Sequence, residues 1–274
     1  MSGHRFDAVV VGAGPNGLVA ANQLVDHGWS VLVVEAEAEP GGAVRSDRSL
    51  DPEFITDRFS AFYPLAAVSP HIEALGLADH GLRWTHAPAV LAHPTPDGPA
   101  AVLSRDIDIT ATSLEQFAPG DGDRWRQLQR QWTDVEDELV AALMAPFPPV
   151  RATWRLVRRH GITTTAELAR RAAVPVRRLA EEQFLGDGAG LLLAGSALHA
   201  DVTPDSVLSG LLGWLLTGIA QRRGWPVPVG GAGELTAAMV RRFEAKGGVV
   251  VCNQRVVEIL VDASGACGVV TESG

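Results

Sequence analysis

The stretch from Asp7 to Leu24, DAVVVGAGPNGLVAANQL, constrains the fold of this chain more than any other. Phe6 to Val11 is valine-rich with little alternation, the pattern of a parallel strand buried on both faces. Gly12, Gly14 and Gly17 follow at once as G-x-G-x-x-G. Leu18 to His27 then has helical spacing, and Gly28 is placed to end the helix. SVLVVE, Ser30 to Glu35, reads as a second strand, which completes a βαβ unit. In such a unit Gly12 permits the tight turn, Gly14 lets backbone N–H groups approach a pyrophosphate, and Gly17 lets helix and strand pack closely. Ala13, Pro15 and Asn16 complete the loop, and the helix N-terminus adds partial positive charge. Glu35, 18 residues past Gly17, is placed to accept hydrogen bonds from ribose hydroxyls. Its charge repels a 2′-phosphate. The loop therefore predicts a dinucleotide site and disfavours NADP.

The residues after Glu35 narrow the choice. AEAEPGGAVRS sets Glu35, Ala36, Gly41, Gly42, Ala43 and Arg45 in the pattern E-x5-G-G-x-x-R-S. This resembles the second signature of the FAD-dependent amine oxidase and phytoene desaturase superfamily, and NAD dehydrogenases do not carry it. The resemblance implies FAD as cofactor, with the second glycine pair and Arg45 along its pyrophosphate and the flavin edge. FITDRFSAFYPL resembles the stretch that follows this signature. GWPVPVGGAGELTAAMVRRFEAKGGVVVCNQRVVEILVD resembles the segment returning to the FAD domain, where Val256 is implied to meet the adenine through its backbone. GAGPNGLVAANQL and GSALHADVTPDS are similar to the group called phytoene dehydrogenase-like, or pyridine nucleotide-disulphide oxidoreductase domain-containing, proteins. The disulphide in that name implies nothing here, since Cys252 and Cys267 form no C-x-x-C pair. Members of the group continue to a C-terminal glycine-rich motif that covers the flavin, whereas this sequence stops at GVVTESG. The resemblance thus implies the N-terminal half of such a protein, with unpaired sheet edges and a tendency to self-associate.

The expected fold class is α/β: a discontinuous Rossmann-type FAD domain over residues 1–66 and 228–274, interrupted by a mostly helical substrate or cap domain over 67–227. Within the insert, Trp125, Leu128, Trp132, Val135, Leu139 and Leu143 recur at helical spacing, predicting a helix over 121–144 capped by Asp121 or Asp123. Val207 to Ala220 is apolar on every side, so it is either a buried helix or one facing lipid or an apolar tunnel. DASG reads as the turn of a hairpin near the C-terminus.

Charge bears on partners. A net charge of −9 disfavours nucleic acid, yet residues 151–178 hold eight arginines and one acid, Glu167. Arg151, Arg155, Arg158 and Arg159 share a helical face beside Trp154, which is either a solvated face or a peripheral membrane contact. The run Ser206 to Gln221 falls short of the ~20 residues that span a bilayer. No signal peptide is read at the N-terminus, so a cytoplasmic protein is the expectation. The eight histidines lack metal-ligand spacing, and no metal is expected.

The resemblance implies hydride transfer to a flavin, in which the cofactor supplies the reactivity. Asp57, Ser60 and Tyr63 fall where residues of the family face the flavin or substrate. Asp57 reads either in that role or as a loop-stabilising carboxylate, and Tyr63 either as an acid or as a buried aromatic with a bonded hydroxyl. His199 either points into a substrate cavity or bonds backbone at a helix end. The expected function is an FAD-dependent oxidoreductase acting on an apolar or lipid-like substrate, with oxygen, a quinone or another protein as electron acceptor. The alternatives are a non-catalytic nucleotide-binding or partner protein and, less favoured, an NAD-dependent dehydrogenase.

Overall fold

In the computed structural model, which describes residues 5–273, the chain forms two compact units. One runs up to Thr85 and resumes at Pro226; the other is His86–Trp225.

The first unit is built on the βαβ motif. Strand β1 (Ala8–Val11) leads through helix α1 (Pro15–Asp26) to strand β2 (Val31–Val34), and the two strands pair in parallel with Ala8 opposite Val31 and Val11 opposite Val34. The strand Val249–Val251 pairs in parallel with the other edge of β2, so β2 is central and β1 lies at an edge of this three-stranded sheet. Leu18, Ala21 and Val25 of α1 pack with Val31 and Val33 and with Leu235, Ala238, Met239 and Phe243 of the helix Gly233–Ala245. Both stripes follow the i, i+3, i+4 spacing that buries one helical face.

A polar knot sits inside this apolar packing. Asn22, fully buried on α1, donates to the carbonyls of Leu18 (2.9 Å) and Met239 (3.1 Å). The buried Arg242 donates to Asn22 Oδ1 (3.0 Å), to the Leu75 carbonyl (2.6 Å) and to both oxygens of Asp26 (3.2 and 2.9 Å). The buried polar side chains of this knot thereby satisfy one another.

Residues 67–85, expected in the inserted domain, belong to the first unit. Leu75, Leu77 and Leu82 are buried in its core, and Trp84–Thr85 pairs antiparallel with Val227–Pro228. The elements here are too short to show a periodicity. The hairpin Val256–Asp262 with Gly265–Thr271 turns as DASG implies: Ser264 N donates to Asp262 Oδ1 (2.7 Å), and Gly265 takes φ 121°.

The second unit is mostly helical. Its long helices are Asp121–Leu143, Val150–Ala173 (broken at Gly161, φ 79°), Gly188–His199 and Ser209–Arg223. Trp125, Leu128, Trp132 and Val135 are buried as their spacing predicts, whereas Leu139 is half-buried and Leu143 exposed at the end of the helix; Trp132 meets Trp214 edge-on at 5.5 Å. The expected cap at Asp121 is replaced by Gly120 (φ 89°), because the buried Asp121 carboxylate accepts the N–H groups of Leu185 (2.9 Å) and Gly186 (2.8 Å). Ser209–Arg223 is buried along most of its length, in accord with the buried-helix reading, but Val207 and Leu208 at the start of the apolar run precede the helix and are exposed. Among the described residues no helix is long and apolar enough to cross a membrane.

Candidate functional site

β1 ends at Val11, and Gly12 reverses the chain with φ 94° while its N–H donates to the Val34 carbonyl (2.8 Å). Helix α1 opens at Gly14 and Pro15, with no side chain capping it and no acid in its first turn. Its first N–H groups and its dipole therefore remain available to an anion. A Cβ on Gly17 would stand 2.1 Å from the Gly12 carbonyl oxygen, so only glycine fits there. A Cβ on Gly14 would meet nothing within 4 Å, leaving open space beside the helix terminus.

The second glycine pair lies against the first loop. Gly41 N donates to the Ala13 carbonyl (2.8 Å), and a Cβ on Gly42 would come 3.3 Å from Gly14 Cα. Gly41 (φ 125°) and Gly42 (φ 55°) both adopt backbone that favours glycine. Arg45, half-buried, turns back so that Nε donates to the Gly42 carbonyl (3.0 Å). Ala36 and Ala43 lie on the same pair of loops, the first partly buried and the second exposed.

Glu35 connects these pieces. Its buried carboxylate accepts from Ala13 N through Oε2 (2.7 Å) and from Glu37 N through Oε1 (2.9 Å). Each oxygen keeps a further lone pair for a ribose hydroxyl. The main chain of Glu35 also anchors the returning segment: its N–H donates to Val251 O (2.8 Å) and its carbonyl accepts from Gln254 N (2.9 Å). Val256 begins its strand two residues later, half-buried. Gly12, Gly14, Gly17, Glu35, Gly41, Gly42 and Arg45 are thus brought into one constellation, and the residues present fit a dinucleotide: an open helix terminus, glycines where the loops touch, and an acid with spare acceptors.

Asp57 supports this site through backbone. Its Oδ1 accepts from Ser46 Oγ (2.7 Å) and Ala232 N (2.7 Å), and Ser46 Oγ accepts from Gly233 N (2.8 Å). Thr236 adds a bond from its hydroxyl to the Val44 carbonyl (2.7 Å). Ser46 closes the second signature in the sequence, but no sequence signal marks Thr236, whose partner lies 192 residues away. Tyr63 donates to the Ser60 carbonyl (2.7 Å), exchanges a hydroxyl bond with Ser60 Oγ (2.9 Å) and packs beside Trp84. Burial raises its phenol above the ordinary range, as does the Asp57 charge, against the Ser60 hydrogen bond. Ser60 also donates to the Ala43 carbonyl (3.1 Å). His199 belongs to the helical unit, at the exposed end of Gly188–His199, with its ring 5.3 Å from that of Trp225.

Residues 16–274 match the family model of flavin containing amine oxidoreductases, and the chain belongs to that family. FAD is accordingly the cofactor that this site fits. A more specific relationship shows in individual relatives. The pyridine nucleotide-disulfide oxidoreductase domain-containing protein 2 of Rattus norvegicus is 27% identical over 98% of this chain and 51% of its own. A limonene dehydrogenase polypeptide of Castellaniella defragrans is 31% identical over 50% of this chain and 24% of its own. Among solved structures, an oxidoreductase from Methanosarcina mazei shares the fold with TM-score 0.58 at 15% identity, over 97% of this chain and 56% of that one. The chain spans about half the length, or less, of these curated relatives.

Proposed function

We propose that this chain supplies the adenine and pyrophosphate side of the FAD site in an oxidoreductase of the phytoene desaturase-like type, acting on an apolar or lipid-like substrate. The observation that carries this reading is the contact of the two glycine loops, Gly41 N on Ala13 O, closed by Glu35 on Ala13 N. Bound flavin would supply the redox chemistry by taking a hydride from a substrate carbon at N5. The chain's own contribution is positional. Gly14 and the α1 terminus receive the pyrophosphate, Glu35 fixes the ribose, and Arg45 is held beside Gly42 by its Nε bond. A Tyr63 phenol with its titration raised stays protonated at neutral pH, which suits a fixed donor better than a base. The limonene dehydrogenase relative supports an apolar substrate by its name. The test is anaerobic mixing of the FAD-loaded protein with terpene and carotenoid hydrocarbons. Bleaching of the flavin's visible band supports the reading; a band unchanged by all of them, but bleached by amines, contradicts the substrate class.

A separate observation supports a peripheral membrane contact. Phe147, Val150 and Trp154 are 94%, 67% and 64% exposed beside the exposed Arg151, Arg155 and Arg158. Arg159 leaves that set, since it pairs with Glu138 at 2.7 Å. Apolar tips among arginines suit an anionic lipid surface. Sedimentation with phosphatidylserine vesicles and not with phosphatidylcholine vesicles is the expected result; equal recovery with both refutes the contact.

The hairpin gives the partner-protein alternative its physical basis. Val257, Ile259 and Val261 are 58%, 58% and 70% exposed along one strand. Such a strand favours a second chain or self-association, and a concentration-independent monomer in ultracentrifugation would contradict that.

A further inference from the structure

Three side chains act together on the segment that carries Arg45. Among the described residues the Arg45 side chain makes a single hydrogen bond, Nε to the Gly42 carbonyl (3.0 Å), and its two terminal nitrogens are unpaired. Its main chain, by contrast, is fixed on both sides. The buried Val44 before it donates to the Gly41 carbonyl (2.8 Å), and the Val44 carbonyl accepts the Thr236 hydroxyl (2.7 Å). Ser46 after it accepts Gly233 N at Oγ (2.8 Å) and donates that hydroxyl to Asp57 Oδ1 (2.7 Å). The Arg45 carbonyl itself accepts Arg58 N (3.0 Å). Asp57 Oδ1 also accepts Ala232 N (2.7 Å), so the N–H groups that open the helix Gly233–Ala245 are spent on Asp57 and Ser46. The terminus of α1 at Gly14 has no such cap, and it is the one left to an anion.

We infer that Thr236, Ser46 and Asp57 are positioning residues for cofactor binding that act through Arg45, a role that rests on the FAD reading. They fix the Arg45 main chain from both sides, so that the free end of its guanidinium fork is presented beside Gly42, which packs on Gly14. A fork on a fixed backbone, with Nε already tied, loses less freedom when its terminal nitrogens meet pyrophosphate oxygens. Two of the three restraints come from the helix Gly233–Ala245, reached 187 residues on from Ser46 and 192 from Val44, so the returning segment takes part in cofactor affinity without touching the cofactor. Asp57 uses Oδ1 alone for both of its bonds, so its part needs an acceptor at that atom and not a charge.

The test is flavin-fluorescence titration of the full chain with FAD, at a temperature where each apo variant keeps the circular dichroism of wild type. Arg45→Gln is expected to weaken FAD about tenfold, as the loss of a charge-assisted hydrogen bond would. Thr236→Val, Ser46→Ala and Asp57→Ala are expected to weaken it by roughly three- to tenfold. Thr236→Ser keeps the hydroxyl and Asp57→Asn keeps the Oδ1 acceptor, so both should stay within about twofold of wild type. A double-mutant cycle separates positioning from a general loss of stability. In an Arg45→Gln background, Thr236→Val and Ser46→Ala should each change FAD affinity by less than about twofold, because the group they position is gone. Losses that add in full to that of Arg45→Gln, or wild-type affinity in Thr236→Val and Ser46→Ala, overturn the positioning role and leave the FAD reading standing. A wild-type chain that binds no FAD overturns both.

Discussion

Glu35 Oε2 accepts the Ala13 N–H at 2.7 Å, so the acid that follows β2 reaches into the loop that follows β1. Its other oxygen accepts Glu37 N at 2.9 Å, so both oxygens face N–H donors. A carboxylate can accept at both ends, whereas an amide must turn its nitrogen toward one of them. Glu35→Gln is therefore expected to lose about 1–3 kcal/mol of stability and to bind FAD at least about tenfold more weakly. Urea unfolding and flavin-fluorescence titration measure the two effects separately.

Gly14 and Gly17 are predicted to respond differently to the same change. A Cβ on Gly14 meets open space, so Gly14→Ala should cost about 1 kcal/mol or less. It should still abolish FAD binding, because the methyl takes the place of the pyrophosphate. A Cβ on Gly17 meets the Gly12 carbonyl oxygen at 2.1 Å, so Gly17→Ala should lower the melting temperature as well. Equal melting temperatures for the two variants would contradict the loop geometry.

The knot of Asn22, Asp26 and Arg242 is expected to be a main source of stability in the first unit. Replacing Arg242 by Leu leaves Asn22 Oδ1 and the Leu75 carbonyl unmet and should destabilise by about 3–5 kcal/mol. Chemical denaturation reads this directly.

Asp26 also sets an acid limit. Burial raises its carboxyl, but the hydrogen bonds and charges of Lys246 and Arg242 outweigh burial and hold it below the ordinary carboxylate range. A group depressed in the folded state contributes stability above its unfolded pKa and loses it as pH falls toward the folded value. The first unit should therefore lose stability below about pH 4, and Asp26→Asn should flatten that limb. A variant with the same acid profile as wild type would refute the assignment.

Backbone geometry favours glycine at Gly12, Gly41 and Gly42, and close packing requires it at Gly17; the strand-loop-helix-strand order was legible from the sequence, and the second glycine loop through the resemblance it carries. So was the tryptophan stripe of Asp121–Leu143, since one helical face carries the core. What escaped rests on distant partners. Asp57 meets Ala232 across 175 residues, and nothing local to either marks the bond. Asp121 has the composition of a helix cap, but the Leu185–Gly186 turn offers its carboxylate two N–H groups inside the core, and burial decides. Leu75, Leu77 and Leu82 anchor residues 67–85 to the first unit through elements of a few residues, too short to show a period. Asn22 and Arg242 did leave a trace, each a polar residue on an otherwise apolar helical face.

The most direct test is to purify the chain, record its visible spectrum and identify any cofactor released on denaturation. The two-loop site predicts a flavin spectrum, or its appearance on adding FAD, with one FAD released per chain and none from Gly14→Ala. A chain that unfolds cooperatively, yet is colourless and takes up no added FAD, would contradict it.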